Sequence, residues 1–384
     1  MSFKKIIGKV HLWLGLTSGL IVVIVALTGC LYAFQAEIQD LTQPYRFVEA
    51  QSTSLLPPSQ IKAIAEKTLT DKHIHSILYG SSTSAAEASF YNADPEYYYI
   101  VYINPYTGQV LKAKDMNSNF FRFVLDGHYY LWLPPAIGQP IVATSTLVFV
   151  VMMITGLILW WPKNKSARKQ RFSVKWNARW RRVNYDLHNV FGFYMTWVVI
   201  FIAITGLVWG FQWFAKAAYW SVGGEKSTVY QEPVSDTTHT TALYQQPVDI
   251  IWSKLKQENT SAETIEVHFP ETPAAAIAAS TNPDANTYWQ TDYRYFDQYT
   301  LKELPAAHVW GRYKDARMAD KTFRMNYDVH TGAVLGLPGK FLAFFASLIA
   351  ASLPVTGFMI WLGRRKKKKA GTVKLPAGLA VSPS

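Results

Sequence analysis

Four histidines stand where imidazole could grip a metal, and they come in two matched pairs. His11 opens the stretch HLWLGLTSGLIVVIVALTG and His188 opens HNVFGFYMTWVVIFIAITG. Both fit the pattern His-x3-Gly-x12-Thr-Gly. From each histidine to its last glycine (Gly29, Gly206) is 18 residues, about five turns of an α-helix. Each histidine, its near glycine (Gly15, Gly192) and its distant glycine therefore fall on or near one helical stripe. An imidazole beside a missing side chain, facing inward from a membrane helix, suits a flat iron porphyrin. The second pair is His128, in DGHYYLWLPPAIGQP, and His330, in DVHTGAVLGLPGK; these lead to ITGLILWWP and VTGFMIWLG.

The elements that must position these residues are four long apolar runs, about Leu12–Phe34, Ile141–Trp161, Val190–Phe214 and Phe341–Leu362. Each is long enough to cross a bilayer core. His11 and His188 mark one end of spans one and three; His128 and His330 mark the opposite end of spans two and four. The order span, long segment, span occurs twice, so the chain reads as a tandem duplication. Both halves begin on the same side, which makes the repeats parallel, related by an axis along the membrane normal. Each histidine pair is then symmetry-related and can face across that axis. Two facing imidazoles are the axial ligands of a six-coordinate haem iron, and a four-helix bundle can house such a group. The expectation is two haem b groups, one near each membrane face, held by His11 with His188 and by His128 with His330. Gly15 and Gly192 are expected beside the porphyrin, although small residues also serve close helix packing. Zinc fits less well, because no cysteine or carboxylate accompanies the histidines in the spans.

Charge sets the orientation. Lys4, Lys5 and Lys9 precede span one, nine Lys or Arg fill the stretch 163–182, and seven more follow span four; together these are 19 of the 38 basic residues. Basic residues on short flanks mark the cytoplasmic side. Both termini and the short loop are thus expected inside, and the two long segments outside. The net charge of +12 then reports topology and membrane contact, and nucleic-acid binding is not expected. The expected division is 1–35 for span one with its cytoplasmic N-terminus, 36–137 for the first outer segment and 138–162 for span two. A basic loop follows at 163–183, span three at 184–215, the second outer segment at 216–338, span four at 339–363 and a basic tail at 364–384. Leu27-Thr28-Gly29-Cys30 has the form of a lipoprotein cleavage site. Thr-Gly recurs without cysteine at Thr155-Gly156, Thr205-Gly206 and Thr356-Gly357, so the first span reads as an uncleaved anchor. The lone Cys30 excludes internal disulfides and a C-x-x-C-H haem attachment.

Each outer segment has a helical period followed by alternating strands. YINPYTGQVL and YFDQYTLKEL read as the same strand–turn–strand, without the glycine in the second copy. Two small α+β domains are expected. The remaining histidines (His73, His75, His239, His268, His308) are expected at the surface; His73 and His75 on one strand face could alternatively hold a metal. Arg181, Arg182 and Arg364 could meet haem propionates. Trp132, Trp160, Trp161 and Trp361 suit interfacial belts. No G-x-G-x-x-G follows a strand, and the loop of about 20 residues is too short for a flavin or nicotinamide domain. Electrons would come from a cytoplasmic partner or from quinol.

Taken together, four spans, two outer α+β segments, the HLWLGL and DLHNVFG starts, ITGLILWWP and DVHTGAVLG resemble the PepSY-associated transmembrane helix family. These are the iron-regulated inner-membrane proteins of the PiuB and FoxB type. PepSY-like modules would cover about 57–113 and 245–303, in the periplasm. The resemblance implies a dihaem b-type ferrisiderophore reductase of the bacterial inner membrane, with His11, His188, His128 and His330 as ligands and a ferric siderophore as acceptor. A haem quinol oxidoreductase with another acceptor is an alternative, as is a non-enzymatic membrane-anchored PepSY binding or inhibitor module.

Overall fold

The computed structural model describes residues 2–162, 164, 168, 171–238 and 246–370, the last five as backbone only. Lys163, Lys165, Lys169, His239 and Lys374 lie outside the described residues. Four helices carry the apolar runs and identify a membrane protein: α1 (Phe3–Tyr32), α5 (Pro135–Trp160), α6 (Trp180–Gly210) and α11 (Gly336–Ala370). Each starts or ends a few residues away from the boundaries read in the sequence, because the helices run on past the apolar core into polar residues. Large apolar side chains such as Leu20, Phe201 and Phe345 point outward and are exposed, as lipid-facing positions are when every side of a helix is apolar.

The spans form a ring in which α1 and α6 each touch both α5 and α11. Helices α1 and α6, from the two halves, are therefore diagonal partners. Close approach is bought with small residues: Gly19 of α1 meets Pro354 of α11, and Gly210 of α6 meets Ala143 of α5. Cys30 is buried between α1 and α11, its thiol 3.4 Å from the Phe344 carbonyl.

Short helices lead from the spans to the soluble part. In the first half these are α2 (Gln35–Thr42), α3 (Pro58–Thr68) and α4 (Phe120–Tyr130). In the second they are α7 (Gln212–Ser221), α8 (Pro247–Glu258), α9 (Met318–Arg324) and α10 (Asn326–Thr331). Proline at the first turn starts α3, α5 and α8, where its missing N–H costs nothing. Asn119 caps α4 by accepting from the Phe121 amide at 3.3 Å.

The two expected α+β domains are one body. Strands β1 (Ser76–Tyr79), β2 (Ala86–Ala93), β3 (Glu96–Ile103) and β4 (Val110–Asp115) come from the first segment. The second supplies β5 (Thr264–His268), β6 (Ile277–Asn282), β7 (Asp292–Phe296) and β8 (Glu303–Leu304). They make a single antiparallel sheet in the order β4-β3-β2-β1-β5-β6-β7-β8. The halves join at β1 and β5, with Ser76 opposite His268, Ile77 opposite Val267, Leu78 opposite Glu266 and Tyr79 opposite Ile265. Helices α3 and α8 share one core against the sheet, including Ile61, Ile77, Phe90, Leu255, Ile277 and Phe296. Burying each of the larger side chains contributes roughly 1.5–3 kcal/mol. Asp249 of α8 reaches across to α3, accepting from the Ser59 amide at 2.8 Å and its hydroxyl at 2.5 Å.

The duplicated turns agree in detail. Asn104 accepts from the amides of Tyr106 and Thr107, and Asp297 accepts from those of Tyr299 and Thr300. Gly108 closes the first turn with φ +75°, and Leu301 takes the same left-handed place with φ +57°. The Asx bonds and the packing of Leu301 against the shared core hold a conformation that an unsupported leucine avoids.

Candidate functional site

The four duplicated histidines are brought together in pairs at opposite ends of the bundle. His11 lies on α1 and His188 on α6, the diagonal partners, near enough to interact electrostatically. His128 and His330 do not lie on spans. They sit on α4 and α10, short helices that run back along the bundle and then reverse into α5 and α11. Each reversal needs a glycine: a Cβ at Gly138 would stand 2.1 Å from the Tyr130 carbonyl oxygen, and one at Gly339 2.1 Å from that of Gly332. The reversals bring the His128 and His330 rings together across the bundle, with centres 6.0 Å apart and planes 74° apart.

Every one of the four imidazoles is seated the same way. Nδ1 of His11 lies 2.9 Å from Thr155 Oγ1, and Nδ1 of His188 lies 2.9 Å from Thr356 Oγ1. His128 Nδ1 is 3.3 Å from Thr28 Oγ1 and 2.9 Å from the Val25 carbonyl. His330 Nδ1 is 2.9 Å from both Thr205 Oγ1 and the Ile202 carbonyl. Each threonine hydroxyl also donates its one hydrogen into its own helix, to the carbonyls of Val25, Met152, Ile202 and Leu353 among others. A hydroxyl has a single proton to give. Each Nδ1 also faces a backbone carbonyl, Val25 for His128, Ile202 for His330, Met152 for His11 and Leu353 for His188; a carbonyl can only accept, so Nδ1 carries the ring proton and Nε2 presents a bare lone pair.

The glycine after each threonine receives the ring edge. A Cβ would come within 3.4 Å of His11 Cε1 at Gly156, 3.1 Å of His128 at Gly29, 3.2 Å of His188 at Gly357 and 3.4 Å of His330 at Gly206. Gly15 and Gly192, singled out in the sequence, face other side chains, Gly15 that of Met152 and Gly192 that of Leu353. Each seat is built within one half of the chain, while each pair of histidines is drawn from both halves.

This donor set fits bis-imidazole ligation of an iron porphyrin. A metal–imidazole bond is about 2 Å, so two rings on opposite sides of one metal have centres about 6 Å apart, as His128 and His330 have. Tying off Nδ1 with a fixed acceptor is also how ligating histidines are oriented and made more basic. A cavity lies between the four spans beside His128 and His330, and small side chains such as Ala26, Ala143, Ala203 and Ala350 form much of its wall. Residues that could hold a haem are thus His128 and His330 at the sheet end and His11 and His188 at the other.

Residues 9–364 match the PepSY-associated TM region, a family profile that runs through all four spans and the sheet. The chain belongs to that family. No match was found among curated proteins. In this PepSY-associated protein the residues that sequence reading missed are Thr28, Thr155, Thr205 and Thr356. The signal was present, since Thr-Gly recurs in every span, but it reads only as a repeat until the partner helix is known.

The second half adds a support that the first lacks. Asn184 and Asn326, each four residues before a site histidine, donate to the carbonyls of Thr356 and Thr205 at 3.1 Å. The matching positions before His11 and His128 are Ile7 and Val124. Helix α10 is fixed further by Asp328, which is fully buried and accepts from the amides of Tyr288 at 3.1 Å and Trp289 at 2.9 Å. Trp209 meets the His330 ring edge-on at 5.2 Å.

Other expected residues divide. Arg182 is paired with buried Asp186 at 2.9 Å, whereas Arg181 and Arg364 are exposed. Trp161 is exposed, whereas Trp160 is buried and stacks on Phe193 at 3.7 Å. His308 is not at the surface. It is buried beneath Tyr230, and its Nδ1 accepts from the Trp310 amide. His73 and His75 precede β1, so they do not share a strand face; the neighbour of His75 is His268.

Proposed function

We propose that this protein is a dihaem b-type reductase of the bacterial inner membrane. In this reading it takes electrons from a cytoplasmic donor or the quinol pool and delivers them to a ferric siderophore in the periplasm, releasing Fe(II). One observation carries the reading: four imidazoles with bare Nε2 atoms, in two pairs at opposite ends of a membrane bundle, each seated by the same threonine and glycine.

Bound there, haem supplies one-electron exchange at its iron. The chain's own residues do the rest. Thr28, Thr155, Thr205 and Thr356 hold the proton on Nδ1 and fix the ring. The adjacent glycines leave room for the ring edge, and the apolar walls exclude water. No acid or base is required of the protein, because reducing Fe(III) to Fe(II) in a chelate takes one electron and weakens the chelate's hold. The basic residues that flank the end carrying His11 and His188 support a cytoplasmic placement for that end. The sheet then stands outside, next to the His128 and His330 pair.

The test is anaerobic mixing of dithionite-reduced, desalted protein with a ferric siderophore or with a quinone. Reoxidation of the haem bands by the ferric chelate, with Fe(II) trapped by a ferrous-specific dye, is expected. Reoxidation by quinone alone would favour a different acceptor, and a colourless protein would leave an anchored PepSY module.

A further inference from the structure

At the seam between β1 and β5, in the soluble part, a second pair of histidines meets. His75 Nε2 lies 3.3 Å from His268 Nδ1, and the rings are nearly perpendicular. The outer nitrogens of both rings face carboxylates: His75 Nδ1 is 2.9 Å from Glu271, and His268 Nε2 is 3.6 Å from Glu266. Glu266 is itself held by the Ser76 hydroxyl at 2.8 Å. The inner contact is a hydrogen bond when one inner nitrogen carries a proton; with the protons on the outer nitrogens, facing the carboxylates, both inner nitrogens are bare and can take one cation. The rings line a cavity of about 530 Å³ that also contains Glu232, and both are about one-third exposed, so an ion can reach them.

We propose that His75 and His268 form a binding site for a divalent first-row transition-metal ion. Two nitrogens bound at about 2.1 Å to one tetrahedral metal stand about 3.4 Å apart, close to the spacing seen here. Imidazole suits zinc, iron and nickel ions, and carboxylates behind the two rings are the usual outer support of such ligands. Glu232, Glu266 and Glu271 add a negative field that attracts a cation. Among the described residues no group of three or more His, Cys, Asp and Glu side chains is set to enclose a metal. The ion would therefore keep water in its remaining positions and exchange readily. The site draws one histidine from each half, so it exists only because the sheet is continuous. It goes beyond the haem reading and stands or falls separately from it.

The test is calorimetric titration of Zn(II) into the full-length protein in detergent, with haem absorbance recorded on the same samples. One zinc per chain is expected. His75→Ala and His268→Ala should each abolish it, and Glu271→Gln should weaken it by about tenfold, all with unchanged haem absorbance and thermal unfolding. His73→Ala should bind as the wild type does. Absence of zinc binding in the wild type, or binding unchanged in His75→Ala and His268→Ala, would overturn the proposal.

Discussion

Thr205 and His330 are joined by a hydrogen bond of 2.9 Å between Oγ1 and Nδ1, and the hydroxyl can take only one role in it. Its hydrogen is committed to α6, at the carbonyls of Phe201 and Ile202, both 2.8 Å away. Because Nδ1 also lies 2.9 Å from the Ile202 carbonyl, which can only accept, the histidine must donate, and Nε2 is left free for a metal. The same logic applies at Thr28, Thr155 and Thr356, so an ordinary helix habit of threonine becomes a tautomer lock for a neighbouring ring.

Thr205→Val keeps the shape of the side chain and removes the acceptor. Losing an outer support of a ligating histidine typically weakens metal binding by about 10–100-fold. Because the Ile202 carbonyl still accepts from His330, the expected loss is near tenfold. Haem transfer to an excess of apo-globin measures it, and an unchanged transfer rate would show that the hydroxyl does not matter.

Asn326→Leu tests the asymmetry between the halves. The amide of Asn326 braces the Thr205 carbonyl, and a net hydrogen bond contributes about 0.5–1.5 kcal/mol. The variant should release the haem at the sheet end a few-fold faster than wild type. Val124→Leu, at the corresponding place before His128, should leave the rate alone. Equal effects of both substitutions would mean that packing, and not the amide, is responsible.

Ile77→Ala opens a cavity where the two halves share their core. Ile77 is fully buried and pairs with Val267 across the seam. The cost should be about 2–5 kcal/mol. Since α3 and α8 pack on one sheet, limited proteolysis should lose protection in both soluble segments together. Loss confined to 57–113 would argue for two independent modules.

Asp297 gives the soluble part an acid sensitivity. Burial pushes its carboxyl up, but the amides of Asp236, Thr300 and Tyr299 and the Thr300 hydroxyl outweigh this and hold it below the usual carboxylate value. A lowered value means stability that is present above the unfolded value, about 3.9, and lost as pH falls through the folded one. Asp297→Asn should flatten that acid limb. Its cost at neutral pH should be about 1–3 kcal/mol, because Asn104 builds the same turn in the other half and only the Asp236 amide loses its acceptor. Thermal melts from pH 3 to 7 measure both effects, and an unchanged acid limb would contradict the assignment.

Much of this architecture could be read in the chain. The apolar runs announce the spans, and the duplication of His11 with His188 and of His128 with His330 announces which side chains must meet. What could not be read depends on register between distant segments. Thr155 becomes the seat of His11 only when α1 lies against α5. The pairing of β1 with β5 joins strands nearly two hundred residues apart, and neither strand carries a signal naming its partner, so the soluble part looked like two modules. Leu301 adopts the conformation of Gly108 because Asp297 and the core hold it there, which no single-residue preference foretells. His308 and Trp160 were misplaced for a related reason, since both have the composition of surface or interface residues and are buried by neighbours that arrive from elsewhere in the chain.

The central claim is that four seated imidazoles hold two haems. The most direct measurement is the haem-to-protein ratio, by pyridine haemochrome, of purified wild type beside His188→Ala and His330→Ala. Two b-type haems are expected in the wild type and one in each variant, with the reduced spectra of the variants summing to that of the wild type. A wild-type protein without haem, or variants that keep both, would contradict it.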